Sequence, residues 1–131
     1  MKKPSPKENG AQIKTPINNQ INSQRDAQLD TQIDTILTQL WQKNLPTIRE
    51  RLDLLDRFGS IAASGTLDEA TRIEALNIAH KLAGSLGMYG YQQGTEVASK
   101  MERILKSPTP ETLLTLATLA ADLRNSLAAG L

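Results

Sequence analysis

The sequence predicts an all-α protein, an antiparallel four-helix bundle of up-down-up-down order with an N-terminal helical extension. Apolar residues recur at helical spacing in four stretches, and the caps and prolines typical of helix ends separate these stretches. Only 3% of the 131 residues are aromatic, and leucine, isoleucine and alanine are plentiful, which favours an aliphatic helical core over a β-sandwich. Short loops make sequential helices antiparallel neighbours.

The first 27 residues differ in composition from the rest of the chain. They are rich in proline, asparagine, glutamine and lysine, with isolated isoleucines. Such a segment cannot bury enough apolar surface to offset its loss of chain entropy on folding. We therefore expect a disordered tail or linker over residues 1–27 and one helical domain over residues 28–131.

The first apolar stripe is long and contains a proline. Its apolar positions are Leu29, Ile33, Ile36, Leu37, Leu40, Trp41, Leu45, Ile48, Leu52, Leu55, Phe58 and Ile61. Pro46 lacks a backbone donor and clashes with the preceding turn, so the stretch forms either two helices or one helix kinked near Gln42. The unbroken phase of the stripe favours the kinked helix.

The next boundaries carry capping signals. Gly65 is placed to end the first stretch, and residues 66–69 resemble a capping box with Thr66 as N-cap and Glu69 at N3. The helix that starts there extends to about Met88.

The last helix is predicted to begin with Thr109 as N-cap and Pro110 at N1. Its inward positions are Leu113, Leu116, Ala117, Ala120, Leu123 and Leu127.

Composition excludes several classes of function. Fifteen basic and fourteen acidic residues give a net charge of +1, without the basic stripe that nucleic-acid binding requires. The chain has no cysteine and one histidine, which argues against a metal centre. No run approaches the roughly eighteen apolar residues of a membrane span. We expect a cytoplasmic monomer that binds neither nucleic acid nor membrane.

The one histidine, His80, lies on a different face from the apolar residues around it. The apolar face of this helix consists of Ala75, Ile78, Ala79, Leu82, Ala83 and Leu86. His80 falls outside that face, in a stripe with Asn77, Gly84 and Gly87, and is expected to face water. Two glycines within one turn of a helix destabilise it, so their presence calls for a structural or functional explanation. They either clear space for a docking partner or permit helix fraying or close packing by a neighbouring helix.

The residues from His80 to Gly90 resemble the signature of histidine-containing phosphotransfer (HPt) domains. In that family a glycine follows the histidine by four residues, and an aromatic or leucine plus glycine follow at nine and ten, here Gly84, Tyr89 and Gly90. The resemblance continues over about a hundred residues. It includes Leu40-Trp41, Arg51-Leu52 and the stretch from Ala98 to Leu105.

This resemblance implies a phosphorelay intermediate. His80 would accept a phosphoryl group from a receiver-domain aspartate and pass it to the aspartate of another receiver. The family needs no cofactor of its own, because Mg²⁺ and a lysine come from the receiver. The sequence has no glycine-rich loop followed by lysine for ATP, so it predicts no kinase activity. The alternatives are a non-catalytic docking bundle for receiver or other signalling domains, and a purely structural bundle.

The residues that would assist His80 are identified by their positions relative to it in the predicted helices. If the hairpin turns near residues 90 and 91, Glu102 lies at the height of His80, and its carboxylate is expected to orient the imidazole. The alternative is that Glu102 is an ordinary solvated residue. The family commonly has a lysine three residues after the histidine, where this chain has Ala83. Lys81 and Lys100 are the remaining candidate cations.

Overall fold

The computed structural model describes the backbone of residues 11–131 and the side chains of residues 26–131. This part of the chain contains helices and no strand. The α-helices are α1 (Ala11–Ala62), α2 (Glu69–Ser85), α3 (Gln92–Lys106), α4 (Pro110–Leu113) and α5 (Leu116–Ser126), with 3₁₀ helices at Leu86–Tyr89 and Ala128–Gly130. The prediction of an all-helical fold is confirmed over these residues, and the up-down-up-down order stays a prediction.

None of the described helices is both long enough and apolar enough to cross a membrane. The cytoplasmic location expected from the sequence stays a prediction.

Helix α1 is one helix that continues through Pro46, so the alternative of two separate helices is wrong. It begins at Ala11, whereas the composition predicts a disordered tail up to residue 27. Adding a residue to an existing helix gains one hydrogen bond for each residue fixed, so a formed helix extends more readily than a new one begins. The first ten residues of the predicted tail lie outside the described part of the chain. The domain boundary at residue 28 stays a prediction.

The chain divides into two units, Met1–Leu40 and Trp41–Leu131. In the first unit the described residues all belong to α1. Most of the large apolar side chains of residues 26–40 are exposed, although they continue the apolar stripe that the sequence predicts to be buried. The exposed ones are Leu29, Ile33, Ile36 and Leu40. Periodicity identified a common face for these residues, but no second helix within the described part of this unit covers it.

The second unit contains the hydrophobic core. Its buried large side chains are Trp41, Leu45, Ile48, Leu52, Leu55, Phe58, Ile78, Leu82, Leu86, Met101, Leu105, Leu113, Leu116, Leu123 and Leu127. All of the α-helices contribute to this one cluster. Ile61 and Ala117, both predicted to face inward, are exposed. The core is otherwise the aliphatic helical core that the sequence predicts.

The N-cap of α2 is Asp68, so the prediction of Thr66 as the cap is wrong. The Asp68 carboxylate accepts a hydrogen bond from the Thr71 backbone N–H at 2.7 Å. That bond lowers the pKa of the Asp68 carboxyl. Glu69 is therefore the first residue of the helix, where it forms an ion pair with Arg72. Both threonine and aspartate cap helices well, and it is Asp68 that has the extended backbone of an N-cap residue directly before the helix.

The later boundaries agree in part with the sequence. Gly65 has a φ of 87°, the left-handed conformation that favours glycine after a helix. Thr109 is the N-cap of α4 with Pro110 at N1, as predicted. The single last helix predicted from the sequence is wrong, because α4 ends at Leu113 and α5 begins only at Leu116.

Helices α1 and α5 approach closely at Gly59. A Cβ atom added to Gly59 would lie 2.8 Å from the Cα atom of Ala117. This is closer than two carbon atoms can pack, and the contact is with backbone, which cannot rotate away. A glycine is therefore required at this crossing. Nearby, the Arg124 guanidinium binds the carboxylates of Asp53 and Asp56, which raises the pKa of Arg124.

Gly59→Ala is expected to lower the free energy of unfolding by about 1 kcal/mol, because overpacking outweighs the gain in helix propensity. Gly84→Ala is the matched control. A Cβ atom there would meet nothing within 4 Å, so alanine should raise the free energy of unfolding by about 0.5–1 kcal/mol. Urea unfolding followed by circular dichroism measures both values. Equal changes in the two variants would show that the crossing does not require glycine.

Candidate functional site

The site is built on the pairing of α2 with α3. Near the start of α2, Arg72 Nη1 donates to the backbone oxygen of Leu105, close to the end of α3, at 2.8 Å. Near the start of α3, Gly94 is buried, and a Cβ atom there would lie within 3.2 Å of Ser126, Leu127 and Leu86, the residue that follows α2. The bond from Arg72 thus ties α2 to α3 at one end, and the close packing at Gly94 restricts α3 at the other.

His80 and Glu102 meet across this pair of helices. The distance from His80 Nδ1 to Glu102 Oε2 is 2.7 Å, which is a hydrogen bond. The His80 side chain is 73% exposed and the Glu102 side chain only 15%. The carboxylate is therefore largely covered, while the ring that it holds projects into solvent.

The charge state of Glu102 determines which ring nitrogen of His80 carries the proton that is donated to it. The hydrogen bond from His80 lowers the pKa of the Glu102 carboxyl, and the charges of the ring and of Lys106 act in the same direction. Partial burial acts in the opposite direction. An ionised carboxylate can only accept hydrogen bonds, so Nδ1 must carry the proton that it donates. In the neutral ring, Nε2 then keeps its lone pair.

Lys106 belongs to this site, although the sequence analysis did not name it. Its Nζ atom lies 3.5 Å from the same Glu102 oxygen that contacts His80. The signal was present in the sequence, because Glu102 and Lys106 are four residues apart on one helix, the spacing of a favourable ion pair. Glu102 thus lies between a histidine and a lysine.

Two of the predicted docking residues lie exposed on α2. Asn77 and Gly84 are both accessible to solvent, and no atom lies within 4 Å of where a Gly84 Cβ would be. The backbone is therefore bare one turn after His80. Gly87 differs, because it is half-buried and a Cβ there would lie 3.2 Å from Thr95 Oγ1. For Gly87 the structure supports close packing, one of the two alternatives left open by the sequence.

The other predicted cations, Lys81 and Lys100, are exposed. Neither is among the ion pairs of the described residues, whereas Lys106 pairs with Glu102. Lys100 lines a surface cleft together with Asp122 of α5. Ala83, at the position where a lysine is common in the family that the sequence resembles, is half-buried. The cation that contacts the carboxylate beside His80 is therefore Lys106.

The residues that follow α2 anchor it to α1. The ring of Tyr89 packs edge-on against Trp41 with centroids 5.2 Å apart, and its hydroxyl accepts a hydrogen bond from Asn44. Trp41 Nε1 donates to the backbone oxygen of Gly130 at 2.9 Å. Gly90 has a φ of 90°, so a glycine is favoured at this turn. The aromatic residue and glycine at the end of the motif therefore hold the turn in place.

The family model described as Hpt domain matches residues 27–129, well over half of the chain and the whole of the site. The chain belongs to the Hpt domain family. Membership implies a part in histidine phosphotransfer signalling, and Hpt domains in general interact with receiver domains. Searches of the curated proteins and of the solved structures found no match to this Hpt domain.

His80→Ala is expected to raise the pKa of Glu102 toward its ordinary value of 4.5, because the hydrogen bond from the ring is the largest cause of the lowered pKa. An NMR titration of the side-chain carboxyl carbons measures this pKa. Lys106→Met is the matched variant and should raise it less, because Lys106 acts from 3.5 Å. A Glu102 pKa that is the same with and without His80 would contradict the hydrogen bond.

The same pair should make stability depend on pH. The folded-state pKa of Glu102 lies below its unfolded value, so its contribution is complete above pH 4.5 and is lost as the pH falls through the folded pKa. From about pH 5 to about pH 2, wild type should therefore lose more stability than His80→Ala. Urea unfolding midpoints across this range provide the measurement, and parallel curves would refute the expectation.

Proposed function

We propose that this Hpt domain is a phosphorelay intermediate, which accepts a phosphoryl group on His80 from a receiver aspartate and passes it to the aspartate of a second receiver. The observation that carries the proposal is the exposed imidazole held at Nδ1 by a largely covered carboxylate. Such a ring is oriented before its partner arrives. A reacting group that is already in position loses less entropy on reaching the transition state.

The nucleophile is Nε2. Because Nδ1 donates its proton to Glu102, the lone pair of the neutral ring is on Nε2, the nitrogen that has no partner in the described part of the chain.

The transfer step forms one bond and breaks one. The Nε2 lone pair attacks the phosphorus of the aspartyl phosphate, and the bond between phosphorus and the aspartate oxygen breaks, leaving its electron pair on the carboxylate. The phosphorylated ring is positively charged while Nδ1 keeps its proton. Glu102 then lies beside that charge and stabilises it. The reverse of this step onto another aspartate completes the relay.

The receiver supplies the positive charge that stabilises the transferred phosphoryl group. The transferred phosphoryl group is negative, and its transition state is stabilised by cations around its oxygens. In this chain Lys106 is paired with Glu102, and Ala83 contributes no charge. We therefore assign Mg²⁺ and the cation to the receiver and no cofactor to this domain.

A docking module without transfer is the second candidate, and Ala83 is the observation that favours it. If a cation at that position is needed for the rate, the same surface would bind a receiver without accepting phosphate. A complex that forms without acid-labile, alkali-stable phosphate on this chain would support this alternative.

His80→Gln is expected to keep the fold and to abolish phosphoryl acceptance, because the side chain is exposed and is the one histidine of the sequence. The measurement is acid-labile, alkali-stable label on the chain after mixing with a phosphorylated receiver. Glu102→Ala should slow acceptance by up to about a hundredfold without abolishing it, since orientation is lost and the nucleophile stays. Label on His80→Gln would rule out the assigned acceptor.

Gly84→Leu is expected to keep or increase the helix content and to weaken receiver binding and transfer, because leucine would occupy the bare backbone beside His80. Isothermal titration with the receiver measures binding. Ala121→Leu adds the same side chain at an exposed position of α5 and should leave binding unchanged. Unaltered binding in Gly84→Leu would place the docking surface elsewhere, and unfolding would make Gly84 a packing residue.

A further inference from the structure

The first half of α1 carries a row of exposed aliphatic side chains, which we call the α1 apolar row. It consists of Leu29, Ile33, Ile36 and Leu40, which are 55%, 52%, 54% and 38% exposed. Single exposed apolar residues are common on protein surfaces, but four on consecutive turns of one helix form a continuous patch. Such a patch indicates a surface that is covered by a partner.

The spacing of the row is that of a helix-pairing seam. Successive members are four, three and four residues apart, which is the repeat of 3.5 residues that keeps one face turned toward a second helix. Three residues beyond either end of the row, α1 has an exposed charged residue, Asp26 before it and Lys43 after it. Along the seam the order is therefore acid, leucine, isoleucine, isoleucine, leucine, base.

This order reads the same way in both directions apart from the sign of the charges, which makes it self-complementary. We propose that a second copy of this chain covers the α1 apolar row, with the two α1 helices antiparallel. The symmetry axis passes between residues 34 and 35. Leu29 then packs against Leu40 of the second copy, and Ile33 packs against Ile36 of the second copy. Each pair of facing side chains therefore consists of two residues of the same type.

Charge selects the antiparallel direction. In this register Asp26 faces Lys43 of the second copy at both ends of the seam, so two pairs of opposite charge form. In the parallel direction each Asp26 would face the other Asp26, and each Lys43 the other Lys43. Like charges at close range repel, so the parallel pairing is disfavoured by the same residues that support the antiparallel one.

The proposal does not rest on the phosphotransfer function. It concerns α1 residues 26–43, whereas the proposed acceptor is on α2. It differs from the monomer that the sequence predicts, because the α1 apolar row is exposed. His80→Gln should associate as the wild type does, so failure of either proposal can be recognised separately.

Sedimentation velocity of the full chain over about 5 µM to about 500 µM tests the association, and a shift from monomer to dimer with increasing concentration is expected. The double variant with Ile33→Gln and Ile36→Gln should stay monomeric at every concentration. Ile61→Gln with Ile73→Gln changes two other exposed isoleucines and should dimerise like the wild type. A wild-type chain that is monomeric throughout would overturn the proposal and leave the row to a different protein.

Charge exchange tests the direction. Lys43→Glu should weaken dimerisation, because two acidic residues then meet at each end of the seam. Adding Asp26→Lys to Lys43→Glu restores opposite charges and should recover the wild-type dissociation constant. Recovery in the double variant supports the antiparallel register. A double variant that is no tighter than Lys43→Glu, or an Ile33→Gln and Ile36→Gln chain that dimerises like the wild type, would overturn it.

Discussion

The pairing of α2 with α3 is the constraint on which the rest of the site depends. At one end Arg72 binds the carbonyl of Leu105, and at the other end Gly94 allows the backbone of α3 to approach Leu86. A shift of one turn along this pair would move Glu102 by about 5.4 Å and break its contact with His80. The register of two helices therefore decides whether the histidine has a fixed orientation or a free one.

The site is asymmetric in its exposure, and the asymmetry has a chemical use. A carboxylate that is 15% exposed holds a ring that is 73% exposed. Covering the acceptor limits competition from water for the hydrogen bond, whereas covering the ring would block any partner. Gly84 leaves the neighbouring backbone bare, so the helix on which the histidine lies presents little obstruction. The nearby cation, Lys106, is associated with the carboxylate.

Helix α1 combines two kinds of surface. From Trp41 onward it supplies side chains to the common core, and it is fixed to α5 by the close crossing at Gly59. Between residues 26 and 40 most of its large apolar side chains are exposed. Hydrophobic periodicity alone gives the same signal for both halves, because it reports which residues share a face and contains no information on what covers that face. The apolar pattern therefore predicts a buried face for both halves, although only the second half is covered among the described residues.

The sequence by itself determined the helical class, the exposure of His80 and the height of Glu102 on the neighbouring helix. These depend on local periodicity and on the length of a hairpin, and both can be counted along the chain. Only the tertiary structure decided that Gly59 lies against Ala117, that Gly87 packs against Thr95 and that the Glu102 side chain is largely covered. The physical reason is that each of these depends on distances of a few ångströms between residues of different helices, which residue order alone does not fix.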